Sequence, residues 1–290
     1  MDGIDKATEM HLRRKVNTVA YKRVVITGAS SGIGKEVLDK LSDPAKNNKI
    51  LAASRTIEKL SGYGENVTLF NCDISTKEGV DLLMEKAEAV LGKIDILIAN
   101  AGAPYYEKFD YVNWDRIQSI FNLNTISPIY TYTKYLKHLD GREGHMVFTI
   151  SAMGEMAIPG YALYAATKFA MKGFQEAIRL EAPKNLKLTA VYPVSTKTNF
   201  FNVGTGNIDV GTPFPIQKAE VVADRMISGI HKAKKHIYPC RVFQPSKLLM
   251  NTIPPVKGVY WGIEKNRLKR FLEKKAALDL KLAEKLSDKK

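Results

Sequence analysis

From about residue 22 to residue 192, short apolar runs alternate with longer amphipathic stretches, and the two periods imply strands and helices in turn. Arg23-Val24-Val25-Ile26-Thr27 is β-rich and ends on a glycine, so it predicts a first strand. A helix follows from Ile33 to about Leu41 and is stopped by Asp43-Pro44. Lys49 to Ser54 and Val67 to Asp73 are expected as the second and third strands. From about Thr76 to Leu91, Val80, Leu83, Met84, Ala87 and Leu91 recur near helical spacing. Ile94 to Ala99 is apolar throughout, which suits a strand buried on both faces. A long helix is expected over about Trp114 to Leu136, a fifth strand over His145 to Ile150, a helix ending near Glu181 with Pro183 after it, and a sixth strand over Leu186 to Tyr192. Strands alternating with helices imply an α/β, Rossmann-type, doubly wound parallel sheet with right-handed crossovers.

Residues 195 to 218 break this rhythm. Gly204, Gly206, Gly211, Pro213 and Pro215 are interleaved with Phe200, Phe201 and Phe214, the composition of a lid or mobile loop. Residues 218 to 235 look helical, and Lys235 to Phe243 is expected as a last strand. The chain thus divides into an N-terminal arm over 1–21, one domain over 22–245, and an extension over 246–290. In the extension an apolar stretch broken by Pro254 and Pro255 gives way to a basic helical one.

Composition narrows the class. A chain of 290 residues with 45% hydrophobic and 26% charged residues suits one large α/β domain with a well-buried core. Cys72 and Cys240 stand far apart, with no C-x-x-C pair and no histidine cluster, so neither a disulfide framework nor a metal site is indicated. Buried free thiols suit a reducing, cytoplasmic compartment. No stretch of eighteen apolar residues exists, and the N-terminal MDGIDKATEMHLRRKVNT lacks the apolar region of a secretory signal. Charge is uneven: from His231 to Lys290 sixteen Lys and Arg face five Asp and Glu, so +11 of the chain's +14 lies in its last fifth.

After the first strand the chain reads Thr27-Gly28-Ala29-Ser30-Ser31-Gly32-Ile33-Gly34 and enters a helix. Glycine there allows a tight turn and brings backbone N–H groups to a pyrophosphate at the helix N-terminus. Such a turn can be merely structural, but the strand before it and the helix after it are the context that dinucleotide binding requires. NAD binders place an acidic residue about 20 positions on, against the ribose hydroxyls. Here that position holds Ser54, followed by Arg55, whose guanidinium suits a 2′-phosphate. NADP(H) is therefore expected over NAD(H), unless Arg55 simply points to solvent. Asp73 and Ile74, after the third strand, are expected near the adenine.

Tyr164 and Lys168 stand one helical turn apart, with Ser151 thirteen residues upstream of the tyrosine. Tyr-x-x-x-Lys alone says little. Beside a dinucleotide site it places a proton donor next to a hydride carrier. A free tyrosine has a pKa of about 10, and a neighbouring ammonium favours its phenolate. Tyr164 thus suits a general acid in carbonyl reduction and a base in alcohol oxidation. Ser151 can donate a hydrogen bond to the substrate oxygen.

With Asp73, Asn100-Ala101-Gly102, Asn124, Pro193 and Thr198 added in order, residues 22 to 200 resemble the short-chain dehydrogenase/reductase family. The resemblance implies that Lys168 also holds the nicotinamide ribose and that Asn124 holds a water beside the lysine in a proton relay. It implies further cofactor contacts from Gly28, Ser30, Ser31, Gly32, Ile33, Gly34, Asn100, Ala101, Gly102, Tyr164, Pro193 and Thr198. Two departures are local: the family's Asn-Asn-Ala-Gly reads Ala99-Asn100-Ala101-Gly102, and its Pro-Gly reads Pro193-Val194. A homodimer or homotetramer is implied, through helices near 114–136 and 160–181.

The small-molecule substrate, a ketone or secondary alcohol, is expected to be hydrophobic. Met153, Met156, Ile158 and Pro159, with Phe200, Phe201 and Val203, would wall its pocket, although such residues serve equally well as core. For the basic end, three readings stand. It could meet a membrane surface peripherally through 246–290; it could be a docked helix with a solvated face, or one packed in an oligomer; or it could bind nucleic acid, for which no recognised motif accompanies the charge. A non-catalytic dinucleotide-binding sensor or scaffold is the alternative to an enzyme.

Overall fold

The computed structural model describes residues 19–110 and 113–287. Residues 1–18 of the expected arm lie outside the described residues; Val19 already packs in the core. Seven parallel strands form the central sheet in the order β3-β2-β1-β4-β5-β6-β9. They are β1 (Arg23–Thr27), β2 (Lys49–Ser54), β3 (Val67–Asn71), β4 (Ile96–Ala99), β5 (Gly144–Thr149), β6 (Leu186–Val191) and β9 (His236–Ile237). The expected α/β, doubly wound architecture is therefore present.

The apolar runs serve two faces at once. Val25, Leu51, Leu97, Met146, Phe148 and Leu188 point to one side, against α2 (Lys77–Leu91), α4 (Ser127–Leu139) and α5 (Ala162–Glu181). Val24, Ile26, Ile50, Ile98 and Val147 point to the other, against α1 (Gly32–Leu41) and α7 (Ala219–His231). A period of two with both faces apolar is what a sheet covered by helices on each side requires.

Several boundaries differ from the sequence expectation. The helix expected over 114–136 begins as α3 (Trp114–Phe121), widens into one π turn over Asn122–Ile126, and resumes as α4 to Leu139. Instead of a strand to Phe243, β9 holds two residues: Pro239 ends it, and the Phe243 N–H closes a turn on the Cys240 carbonyl. The loop at 195–218 carries a small two-stranded parallel sheet, β7 (Ser195–Lys197) with β8 (Ile216–Lys218), and between them α6 (Phe200–Gly204). The extension forms α8 (Phe243–Thr252) and α9 (Pro254–Ser287). Pro254 and Pro255 start α9 rather than break it, because the first helical turn needs no backbone N–H. Among the described residues no helix is long and apolar enough to cross a membrane, and no group of three His, Cys, Asp or Glu could hold a metal ion. Both cysteines are free and buried.

One buried polar pair gives the fold a pH dependence. The Thr189 hydroxyl donates to the Lys234 carbonyl at 2.6 Å, so His145 must donate Nε2–H to Thr189 Oγ1, 2.7 Å away. Burial, with the nearby Lys187 charge, lowers the His145 pKa from 6.5 to about 4. The unfolded chain then takes up its proton at higher pH than the folded one. This contribution is intact above pH 6.5 and is lost as pH falls from 6.5 to 4. About 2 kcal/mol of stability is expected to disappear between pH 7 and pH 5. Urea unfolding at the two values checks this, and His145→Gln should flatten the slope.

Candidate active site

The order of the sheet reverses between β1 and β4, and the crevice outside those strand ends is where open α/β sheets bind ligands. A cavity of about 500 Å³ occupies it. Its walls include Gly28, Ser30, Ser31, Gly32 and Ile33 from the first turn, Ser54 and Arg55 after β2, and Asp73 and Ile74 after β3. Asn100, Ala101, Gly102, Ser151, Tyr164, Lys168, Pro193 and Thr198 complete the set, so nearly every residue singled out in the sequence lines one space. Gly34 and Asn124 do not line it and stand just behind, and Pro159, expected in the apolar wall, does not line it either.

Gly28 and Gly32 adopt φ of +67° and +57°, which favour glycine. A Cβ on Gly28 would meet the Ala101 Cα at 2.7 Å, and one on Gly34 would meet the Gly28 carbonyl oxygen at 2.1 Å. Ser31 caps α1 without a side-chain bond to the helix, which leaves the first-turn N–H groups by the cavity. The Ser30 hydroxyl instead pairs with Ser54 at 2.7 Å and Thr56 at 2.9 Å, stitching the turn to the end of β2. Arg55 stays mostly exposed on the rim, its Nη1 3.9 Å from Asp73 Oδ2. Burial works against the Asp73 charge, but hydrogen bonds from Ser75 and the Arg55 charge outweigh it and lower the pKa. Lys59, one short turn after β2, also lines this end. It is not among the residues expected from the sequence, although its spacing of four from Arg55 is visible there.

At the other end, Tyr164 and Lys168 project from α5 and are buried. Lys168 Nζ lies 5.7 Å from the centre of the Tyr164 ring and donates to the Thr149 carbonyl at 3.2 Å. Thr149 in turn donates to the Asn100 carboxamide oxygen at 3.2 Å, and the Asn100 nitrogen donates to the Thr27 carbonyl at 3.2 Å. A chain of hydrogen bonds thus links the glycine turn to Lys168 through Thr149, a residue with no signature in the sequence. Burial pushes the Tyr164 phenol up to about 12, opposed by its hydrogen bond with Ser151. Burial also brings Lys168 down to about 8. The lowering of Tyr164 expected from the lysine is not seen: burial raises the phenol, and the Ser151 hydrogen bond is what opposes it.

Ser151, two residues past the end of β5, has φ 150° and ψ 156°, a region that is almost exclusively glycine's. Its Oγ accepts from the Met153 N–H at 3.1 Å. Asn124 sits in the π turn. Its Oδ1 accepts from the Ala103 N–H, and its Nδ2 donates to the Ala103 carbonyl, both at 2.9 Å, and to Thr167. The carboxamide therefore anchors helix to turn, with both of its protons used. A Cβ on Gly102 would sit 3.1 Å from Asn124 Oδ1 and 3.7 Å from Lys168 Nζ, so glycine there keeps a small gap open between the two. The apolar end comprises Met153, Met156, Ile158, Phe200, Phe201 and Val203, together with Phe214, Met250 and Tyr260 from the lid, α8 and α9.

A sequence model described as short chain dehydrogenase matches residues 22–205, more than half of the chain. The protein belongs to the short chain dehydrogenase family. Estradiol 17-beta-dehydrogenase 11 of Macaca fascicularis is 27% identical over 257 residues, covering 86% of this chain and 83% of the relative. 3-Ketodihydrosphingosine reductase of Bos taurus is 31% identical over 190 residues, covering 61% of this chain and 57% of the relative. A solved short chain dehydrogenase from Burkholderia cenocepacia J2315 in complex with NADP shares the fold at a TM-score of 0.70 and 20% identity, over 84% of this chain and 98% of that one. The family match stops at residue 205, ahead of α7, α8 and α9.

Proposed function

We propose that this protein is an NADP(H)-dependent oxidoreductase that interconverts a hydrophobic ketone and its secondary alcohol, with Tyr164 as the general acid in reduction. The observation that carries the proposal is the meeting of Tyr164, Ser151 and Lys168 where the glycine-turn end of the cavity joins its apolar end. Two relatives, named for estradiol dehydrogenation and 3-ketodihydrosphingosine reduction, support chemistry at a carbonyl or carbinol carbon.

The residues fit a nicotinamide dinucleotide. Gly28 and Gly32 take conformations that keep Cβ atoms out of the turn, and Ser31 leaves the α1 N-terminus free for a pyrophosphate. Ser54, Arg55 and Lys59 would hold a 2′-phosphate, Asp73 and Ile74 the adenine end, and Lys168 with Asn100 to Gly102, Pro193 and Thr198 the nicotinamide end. When bound, the cofactor supplies or accepts the hydride. Ser151 fixes the substrate oxygen, Tyr164 donates a proton to it, and Lys168 stabilises the phenolate left behind. Exposed Trp114, Ile126, Phe169 and Leu180 on and beside α3 to α5 support a homo-oligomer contact there.

Cofactor titration by fluorescence tests this reading. NADPH should bind more tightly than NADH, and Arg55→Asp should weaken NADPH by roughly 10- to 100-fold, the value of a charge-assisted phosphate contact. Equal binding of both cofactors, or none, would sink the assignment and favour a scaffold that keeps the fold without turnover.

A further inference from the structure

We propose that the α8–α9 hairpin seats this protein on an anionic lipid surface with the cavity mouth against it, and that the substrate is an amphiphile resident in that surface. The second half rests on the oxidoreductase reading; the first does not.

Phe214 lines the cavity and is nevertheless 71% exposed, which marks it as part of the mouth. Around that mouth stand the two helices of the extension. Phe243, Ser246, Lys247 and Met250 form the inner side of α8, facing the cavity. Between and beyond them, Leu248 is 65% exposed, and Leu249 and Ile253 are nearly half exposed, beside the exposed Asn251 and Thr252. On α9, Tyr260 lines the cavity while its neighbours Val259, Trp261 and Ile263 are exposed.

These side chains belong to a docked element, not a frayed end. The buried Glu155, four residues after Ser151, accepts from the Tyr238 hydroxyl at 2.7 Å, from Gln244 and from the Lys247 ammonium. Tyr260 donates to the Phe214 carbonyl at 2.8 Å, and the Trp261 indole N–H donates to the Ala157 carbonyl at 3.1 Å. The outward apolar residues are therefore held at fixed places around the opening. Single exposed hydrophobic residues are ordinary, but a set of them along two helices at one mouth is not.

Charge identifies what covers them. From Arg241 to Arg270 the chain carries seven Lys and Arg and one carboxylate, Glu264. Glu264 is buried and bonded to Arg267. Between Arg241 and Arg270 this face therefore presents cations and apolar groups, and the first exposed carboxylate beyond it is Glu273, 4.0 Å from Lys269. Lys257 lies 4.6 Å over the Trp261 ring, joining the two chemistries. A second copy of the same face would set like charges against each other. An anionic bilayer meets both needs: headgroups for the ammonium groups, and acyl boundary for Leu, Val and Trp. Farther along α9 the stripe that buries Phe271 continues as exposed Leu278, Leu282 and Leu286, with Lys275, Lys281 and Lys285 beside them. The mouth lies within the apolar patch. An acyl or polycyclic tail can pass from hydrocarbon into the cavity without crossing water, which brings a carbonyl toward Tyr164.

Co-sedimentation of the full chain with phosphatidylcholine vesicles, with and without roughly one third phosphatidylserine, tests the surface. Binding should be about tenfold tighter with phosphatidylserine, weaken in roughly 0.5 M salt, and fall about tenfold in Leu248→Asp/Val259→Asp. No binding at low salt, or binding that the double variant keeps, overturns the proposal. So does a lipid-free dimer that the double variant dissociates. For the substrate, a long-chain ketone in vesicles should be reduced about tenfold more slowly by the double variant, and a small water-soluble ketone at an unchanged rate. Equal effects on both overturn that half. Failure to reduce any ketone would instead overturn the oxidoreductase reading, while the vesicle result still decides the surface.

Discussion

Tyr164→Phe is expected to lower NADPH-dependent ketone reduction by roughly 10²- to 10⁴-fold, the usual worth of a positioned general acid. The ring remains, so its packing against Tyr161 and Phe200, at centroid distances of 6.2 and 5.8 Å, is kept. Cofactor binding should change by less than about twofold, because the glycine turn and the Arg55 end are untouched. Loss of kcat with unchanged NADPH affinity is the signature, read by steady-state kinetics beside fluorescence titration. Retained turnover would move the acid to another group. The same geometry sets a direction with pH. A phenol held near 12 is protonated throughout the neutral range and ready to donate. The phenolate left after donation needs Lys168 charged, and burial holds that lysine near 8. The ammonium is present below pH 8 and lost above it, so the rate of reduction should be flat near neutrality and decline above about pH 8. Lys168→Arg, always charged, should lose that decline even if it is slower overall.

The parts of this site that were legible in the sequence are those where chemistry dictates residue type and spacing together. Gly28, Gly32 and Gly34 are readable because a tight turn against another chain segment excludes every Cβ, and Tyr164 with Lys168 because one helical turn puts both on the same face. The alternation of strands and helices followed from apolar runs that must be buried on both sides. What stayed hidden depends on contacts between distant segments. Thr149 and Glu155 matter through partners up to 92 residues away, Lys247 among them. Nothing in their local sequence differs from an ordinary strand end or loop. The π turn at Asn122–Ile126 adds one residue to a single helical turn and buries Asn124 and Thr125 while leaving Ile126 exposed, a local shift that apolar spacing over the whole helix does not reveal. Pro254-Pro255 was misleading for the opposite reason: proline ends helices in their interior but opens them at the first turn.

Gly34→Ala should be the most damaging single-methyl change in the cofactor end. Gly34 stands in the first turn of α1, where an added Cβ would lie 2.1 Å from the Gly28 carbonyl oxygen and 2.6 Å from Asn100 Nδ2. Neither neighbour can yield cheaply. The Gly28 carbonyl belongs to a turn fixed by a positive φ, and the Asn100 carboxamide holds β1, β4 and Thr149 together. Relief requires α1 to move off the turn by about 1 Å, which is the order of displacement that costs roughly 100-fold at a preorganised site. NADPH affinity should therefore drop by roughly 100-fold, and thermal unfolding should come several degrees lower, as overpacking of 1–3 kcal/mol implies for a domain of this size (about 2–4 °C per kcal/mol). Gly173 provides the control. It is helical and exposed in α5, and a Cβ there meets nothing within 4 Å, so Gly173→Ala should leave affinity unchanged and raise stability by up to about 1 kcal/mol. If Gly34→Ala bound NADPH as tightly as the control, the close approach of α1 to the glycine turn would have no part in holding the dinucleotide.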